Sequence, residues 1–232
     1  MDEDIFFIGI DLSDPLAKQK RSCTRAILTS KLTLSFDEWP YDLSGSKIVP
    51  EEISKSPHVL AIDGPQGLAS DPRQGMRLSE RLLHTAGKSP YELPSSGRPY
   101  SGFVYGSVKL FYSLSTSHNF NLYGLKGLER DKANLIEVYP GSAWPIFSGR
   151  KLKNKRLLEG RRERYQILLE RGLRFEPRYE PPSHDQLDAA LAAYIAYLFK
   201  CGKTQDFGEE AFEDASFAVL REGFIVQPLK TK

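Results

Sequence analysis

The sequence predicts an α/β protein: a mixed central sheet flanked by helices, with a helical insertion at about residues 66–131. Three observations predict it. Apolar runs closed by an acid recur at Phe6–Asp11 (FFIGID), His58–Asp63 (HVLAID) and Asn134–Glu137 (NLIE), the pattern of strands in a sheet covered on both faces. An alanine-rich helix-forming run, Leu187–Phe199, follows late in the chain. Between them, from Gly64 to Asp131, no run reads as a core strand. A chain of 232 residues suits one domain, residues 1–232, and can bury a sizeable core.

Side chains alternate along a strand, so Phe7, Gly9 and Asp11 share one face of the first. After a polar connection over residues 12–22, Thr24–Thr29 and Leu32–Phe36 read as two strands around a tight turn. Pro50–Lys55 reads as a short helix leading into the strand that ends at Asp63, where Val59, Ala61 and Asp63 share a face. Gly9 and Ala61 are small and leave room beside the acids. Arg73–Thr85 and Val104–Ser117 are expected helices of the insertion. The Ser-, Pro-, Gly- and Tyr-rich stretch Gly87–Gly106 between them has the irregular character of a functional lid.

The third acid-closed strand places Leu135, Glu137 and Tyr139 on one face. Carboxylates at equal height on adjacent parallel strands, about 4.8 Å apart, are close neighbours, and Glu137 is expected to join Asp11 and Asp63. Leu152–Gly172 reads as a basic amphipathic helix with Leu157, Leu158, Tyr165, Leu168 and Leu169 as its buried stripe. Ser183 and Gln186 form a capping-box pattern ahead of the alanine-rich run. There Asp185 and Asp188 fall on the same stripe as Ala189, Ala192 and Ala196, which lets the helix lie close to the sheet. Phe217–Leu220 and Phe224–Val226 flank Arg-Glu-Gly and read as a hairpin.

Two carboxylates about 5 Å apart repel by roughly 3 kcal/mol at an effective dielectric near 20, so a converging set calls for a cation or a proton. Hard oxygen ligands without a Cys or His cluster point to Mg²⁺ or Mn²⁺ rather than zinc. Each acid also has a local explanation: Asp11 and Asp63 as turn formers, Asp185 as a complement to the helix dipole, Glu137 as an arginine partner. Turn chemistry does not explain why strand after strand stops at an acid.

Hydrophobic content of 40% and charged content of 27% are ordinary for a globular protein, and a net charge of +2 says little about partners. Arg150–Glu180 is locally basic, with eleven Lys or Arg against five Glu. Two cysteines exclude a disulfide framework, and the start MDEDIFF lacks the basic region of a signal peptide. The longest apolar stretch is too short to span a bilayer, so a cytoplasmic location without membrane attachment is expected.

The ordered motifs GIDLS (Gly9 to Ser13), AIDGP (Ala61 to Pro65), RLSER (Arg77 to Arg81), EVYP (Glu137 to Pro140), DQLDAALAA (Asp185 to Ala193) and EGFIVQP (Glu222 to Pro228) resemble the DUF429 family. That is a group of predicted nucleases with a ribonuclease H-like fold. The resemblance implies a mixed sheet in which the strand ending at Asp11 lies beside the one ending at Asp63, and a final helix that carries Asp185 and Asp188 to them. In the Holliday-junction-resolvase branch of that superfamily, acids of the first strand, the fourth strand and the last helix bind two divalent metals, which looks similar to Asp11, Asp63 and Asp185 with Asp188. The fourth-strand acid there is usually Glu; here it is the shorter Asp63.

The expected function is phosphodiester hydrolysis of DNA or RNA with two Mg²⁺ or Mn²⁺ ions. Asp11, Asp63, Glu137 and Asp188 are the expected catalytic set, and Asp11, Asp63, Asp185 and Asp188 the metal ligands. Arg73, Arg77 and Arg81 are expected to bind substrate phosphates. His184 is either a proton shuttle or a plain helix-cap residue. Tyr91, Tyr100 and Tyr105 either stack on bases or pack in the loop. Two other readings stay open: a nucleotide phosphohydrolase, and a non-catalytic module binding nucleic acid or protein. A P-loop is absent, a haloacid-dehalogenase-like site would need Asp where Ser13 stands, and serine and zinc hydrolase motifs are missing.

Overall fold

β-Branched and aromatic runs build three antiparallel strands at the start: β1 (Phe6–Asp11), β2 (Cys23–Thr29) and β3 (Thr33–Trp39). The computed structural model describes residues 5–17, 22–95, 97–117, 120–176 and 181–230. Residues 18–21 of the expected polar connection and 177–180 of the basic segment lie outside the described residues. β4 (His58–Asp63) pairs with β1 in parallel on its other side, and β5 (Leu135–Val138) pairs in parallel with β4. β6 (Arg174–Phe175), β7 (Thr204–Phe207) and β10 (Ile225–Pro228) complete an eight-stranded mixed sheet, ordered β6-β3-β2-β1-β4-β5-β10-β7. The architecture is the expected mixed α/β sheet flanked by helices, and it is consistent with a ribonuclease H-like arrangement.

Helices α1 (Leu78–Leu83), α2 (Ser101–Ser117), α3 (Pro140–Ser148), α4 (Leu158–Glu170) and α5 (His184–Lys200) cover the sheet. One core joins α5, α3 and α4 to the face of Phe7, Val59 and Ala61. The other joins α2 to the face of Ile8, Ile10, Leu60 and Ile62, through Leu110, Phe111 and Leu114, each fully buried. The insertion between β4 and β5 therefore supplies the helix that covers the second face. Among the described residues, no helix is long and apolar enough to cross a membrane.

The capping box that opens α5 is formed: Gln186 N–H donates to Ser183 Oγ at 3.1 Å, and Ser183 N–H to Gln186 Oε1 at 2.8 Å. The alanine stripe then brings α5 unusually near β1. A Cβ placed on Gly9 would lie 2.1 Å from the Ala189 carbonyl oxygen and 2.4 Å from the Ala193 nitrogen, so only glycine admits this approach.

Several local expectations change. The helix expected over Arg73–Thr85 runs only from Leu78 to Leu83, and His84 ends it in the left-handed conformation. α4 starts at Leu158 rather than Leu152, and its inward side is Gly160, Arg164 and Leu168. Leu157, Leu158 and Leu169 are exposed, because the segment before α4 crosses over Gly160, whose Cβ position lies 2.1 Å from the Asn154 carbonyl oxygen. The expected C-terminal hairpin does not form. β9 (Val219–Arg221) instead pairs with β8 (Phe212–Asp214), and β10 joins the main sheet beside β5, which buries it on both faces.

Replacing Gly9 by Ala drives a methyl into backbone that cannot retreat without moving α5. The expected loss is about 3 kcal/mol or more, and thermal or denaturant unfolding of Gly9→Ala checks it.

Candidate functional site

The parallel pairing of β1 with β4 puts Asp11 directly opposite Asp63. Both side chains leave the face that α5 covers, and the first turn of α5 brings Asp185 and Asp188 to the same place. These four carboxylates line one cavity of about 590 Å³ at the ends of the strands, with α3 and the loop after α1 forming other parts of its wall. Open α/β sheets characteristically place ligands in such a crevice beyond the carboxyl ends of their strands.

Charge at this spot is poorly compensated. Burial, followed by the neighbouring charges of Asp63, Asp188 and Asp185, holds the Asp11 carboxyl well above its ordinary range, although Lys155 works in the other direction. Asp63 is pushed up to about 8, first by burial and then by Asp188. Asp188 itself is 3% exposed and has both oxygens engaged. Trp144 Nε1 donates to Oδ1 at 2.7 Å, and Lys155 Nζ donates to Oδ2 at 2.5 Å. Carboxylate oxygens are the right donors for Mg²⁺ or Mn²⁺. As the side chains stand, however, no group of three or more His, Cys, Asp or Glu among the described residues is arranged to hold a metal ion.

Glu137 requires a correction of direction. The pairing of β4 with β5 sets Asp63 opposite Val138 and Ile62 opposite Glu137, so the Glu137 side chain leaves the face opposite to Asp11 and Asp63. It lines another wall of the cavity, where Arg77 grips it with both terminal nitrogens, at 2.6 and 2.8 Å, and the Gln66 N–H donates to it at 2.9 Å. Burial raises the Glu137 carboxyl, and Arg77 opposes that rise.

The three arginines also separate. Arg77 is 1% exposed and is committed to Glu137 and Glu80; burial disfavours its charge, but those two carboxylates outweigh the penalty. Arg73 is exposed and pairs with Asp71, while Arg81 is exposed outside the cavity lining. Around this pair the network is closed. Glu80 accepts from the Ser89 N–H, and Glu222 accepts from the Ser70 and Leu78 N–H groups. His184 is the first residue of α5, with Nδ1 2.6 Å from Asp185 Oδ1, and lies outside the lining. Tyr100 is exposed at the cavity with a left-handed backbone (φ 63°), whereas Tyr91 packs against Arg221 and Phe217.

Sequence reasoning missed Lys155 and Trp144. Lys155 lies on irregular chain ahead of α4, where no periodicity points to it. Trp144 lies on α3, a short helix that opens on Pro140, where Pro is well placed, and carries Pro145 in its interior.

The fold and site together define an α/β protein with an acidic cavity at the carboxyl ends of its central strands. A family model described as "Protein of unknown function (DUF429)" matches residues 119–212. The matched stretch includes Glu137, Trp144, Lys155, Asp185 and Asp188, and it supports the family resemblance; Asp11 and Asp63 fall before it. Nothing among curated proteins or solved structures matches the chain.

Two outcomes follow from the charges. With Asp63 raised from about 3.9 in the unfolded chain to about 8, the native state favours its protonated form. Its contribution to stability is therefore complete below pH 4 and is lost as pH rises through 8. Asp63→Asn should flatten that fall and melt higher than wild type at pH 9, with a difference on the order of 2 kcal/mol by thermal unfolding at pH 5 and pH 9. Arg77→Ala leaves Glu137 and Glu80 buried without their cation, and chemical denaturation should show a loss of about 3–5 kcal/mol.

Proposed function

We propose that the cavity is the active site of a divalent-metal-dependent hydrolase that cleaves phosphodiester bonds of nucleic acid. The observation that carries this reading is the meeting of Asp11, Asp63, Asp185 and Asp188, from two paired strands and one helix, at a single cavity. Carboxylates whose ionisation is unfavourable when they stand alone are a natural receptor for a divalent cation.

Asp11 and Asp63 would hold the ion or ions with Asp188, and Asp185 would complete the set or orient water. Bound there, Mg²⁺ or Mn²⁺ supplies Lewis-acid polarisation of a phosphoryl oxygen and a more acidic water. Lys155 offers positive charge to the phosphate. Arg77 and Glu137 form a paired, buried part of the cavity wall. The volume is that of a site for a small ligand or one unit of a polymer.

A second reading, a non-catalytic binding module, is favoured by one specific observation: Lys155 and Trp144 already satisfy Asp188. The two readings part at the acids. On the hydrolase reading, Mn²⁺-dependent cleavage of single-stranded, duplex or branched substrate falls at least about a hundred-fold in Asp11→Asn, equivalent to about 2.7 kcal/mol of barrier. Cleavage that is indifferent to chelator or to that substitution would reject it.

A further inference from the structure

The contact between Lys155 and Asp188 has a consequence for how ligands enter the cavity. Lys155 Nζ sits 2.5 Å from Asp188 Oδ2, and Trp144 holds the other oxygen, so each oxygen of the helix acid already has a protein donor. The ammonium also acts on Asp11 and Asp63, opposing the rise that burial imposes on both carboxyls. The second cation near it, Arg164, is bound to the Lys153 and Gly160 carbonyls and lies over the Trp144 ring. Lys155 differs from every other cation at this cavity: its side chain is 43% exposed, and it is carried by irregular chain rather than a packed helix face. Arg77, by contrast, is locked between Glu137 and Glu80.

A divalent cation bound at Asp188 Oδ2 would repel an ammonium ion 2.5 Å from the same oxygen, so the two charges compete for that position. We propose that Lys155 is a displaceable internal counter-ion: it occupies Asp188 in the metal-free protein, yields that oxygen to a divalent cation, and then pairs with the phosphate of the substrate. Metal and phosphate thereby bind each other's complexes more tightly than the free protein. Such coupling is reciprocal and typically five- to about 150-fold. No covalent bond is made or broken in the exchange: the ammonium gives up its hydrogen bond to Asp188 and pairs with another anion, and a divalent cation takes its place at the carboxylate. This inference rests on the metal reading of the site and adds an order of events to it.

The test is Mn²⁺ affinity, followed by paramagnetic resonance and calorimetry on the full chain, with and without thymidine 5′-monophosphate as the phosphate probe. Wild type should bind Mn²⁺ weakly alone and at least about ten-fold more tightly with the probe. Lys155→Met and Lys155→Gln should bind Mn²⁺ at least about ten-fold more tightly without the probe and gain little from it, whereas Lys155→Arg should behave like wild type. Equal Mn²⁺ affinity in wild type and the neutral variants would overturn the counter-ion role and leave the metal site standing. Absence of Mn²⁺ binding in all of them would overturn the metal reading and this inference together. Because the coupling is also read on wild type, a variant that fails to fold does not shield the proposal: wild-type Mn²⁺ affinity unchanged by the probe overturns it.

Discussion

The approach of α5 to β1 at Gly9 is the constraint on which the rest of the structure depends. Helix backbone stands where any side chain at position 9 would go, and the buried alanines 189, 192, 193 and 196 make the fit possible from the other side. That contact sets the height of α5 along β1. The height in turn decides that Asp188, one position before Ala189, comes level with the end of the strand where Asp11 and Asp63 stand. Packing and electrostatics are tied here: the apolar seam that stabilises the fold is also the ruler that spaces the acids.

Two groups of charges border the same cavity and differ in kind. Arg77, Glu80, Glu137 and Glu222 are almost fully buried, and each is met by an opposite charge or by backbone N–H groups. Such a network fixes one arrangement of loops and is costly to disturb. Asp11, Asp63 and Asp188 share one half-exposed ammonium, and the carboxyls of Asp11 and Asp63 are raised by burial and by neighbouring acids. Strain that a protein retains in its charges marks the place where a ligand can relieve it.

Much of this was legible in the residues. FFIGID and HVLAID announced paired strands, and the Ser183–Gln186 cap with its alanine stripe announced a helix lying close to them. What escaped depended on register and on irregular chain. Glu137 reads as a third strand acid, but whether its side chain joins Asp63 or faces away turns on a one-residue shift between β4 and β5 that no single-strand pattern contains. RLSER shows three ionisable residues among five without showing that Arg77 turns inward to Glu137 while Arg81 stays outside. Lys155 sits where the chain is ordered by Gly160 packing on Asn154, a contact with no periodic signature. Leu157 and Leu158 mislead for a related reason: helical spacing counts them with the buried stripe, yet they are the N-cap and first residue of α4 and both are exposed.

The acids meet across great distances in the chain: β1 supplies its share within the first eleven residues, and α5 completes the set after residue 184. The Glu222 carboxylate then ties the loop before β10 back to Ser70 and Leu78. A chain emerging from the ribosome consequently carries β1, β4 and the insertion long before it carries α5, and during that interval it has no assembled cluster of carboxylates. The pocket therefore appears only once α5 has followed β1 and β4 out of the ribosome, so synthesis itself withholds the full set of carboxylates until that helix has been made.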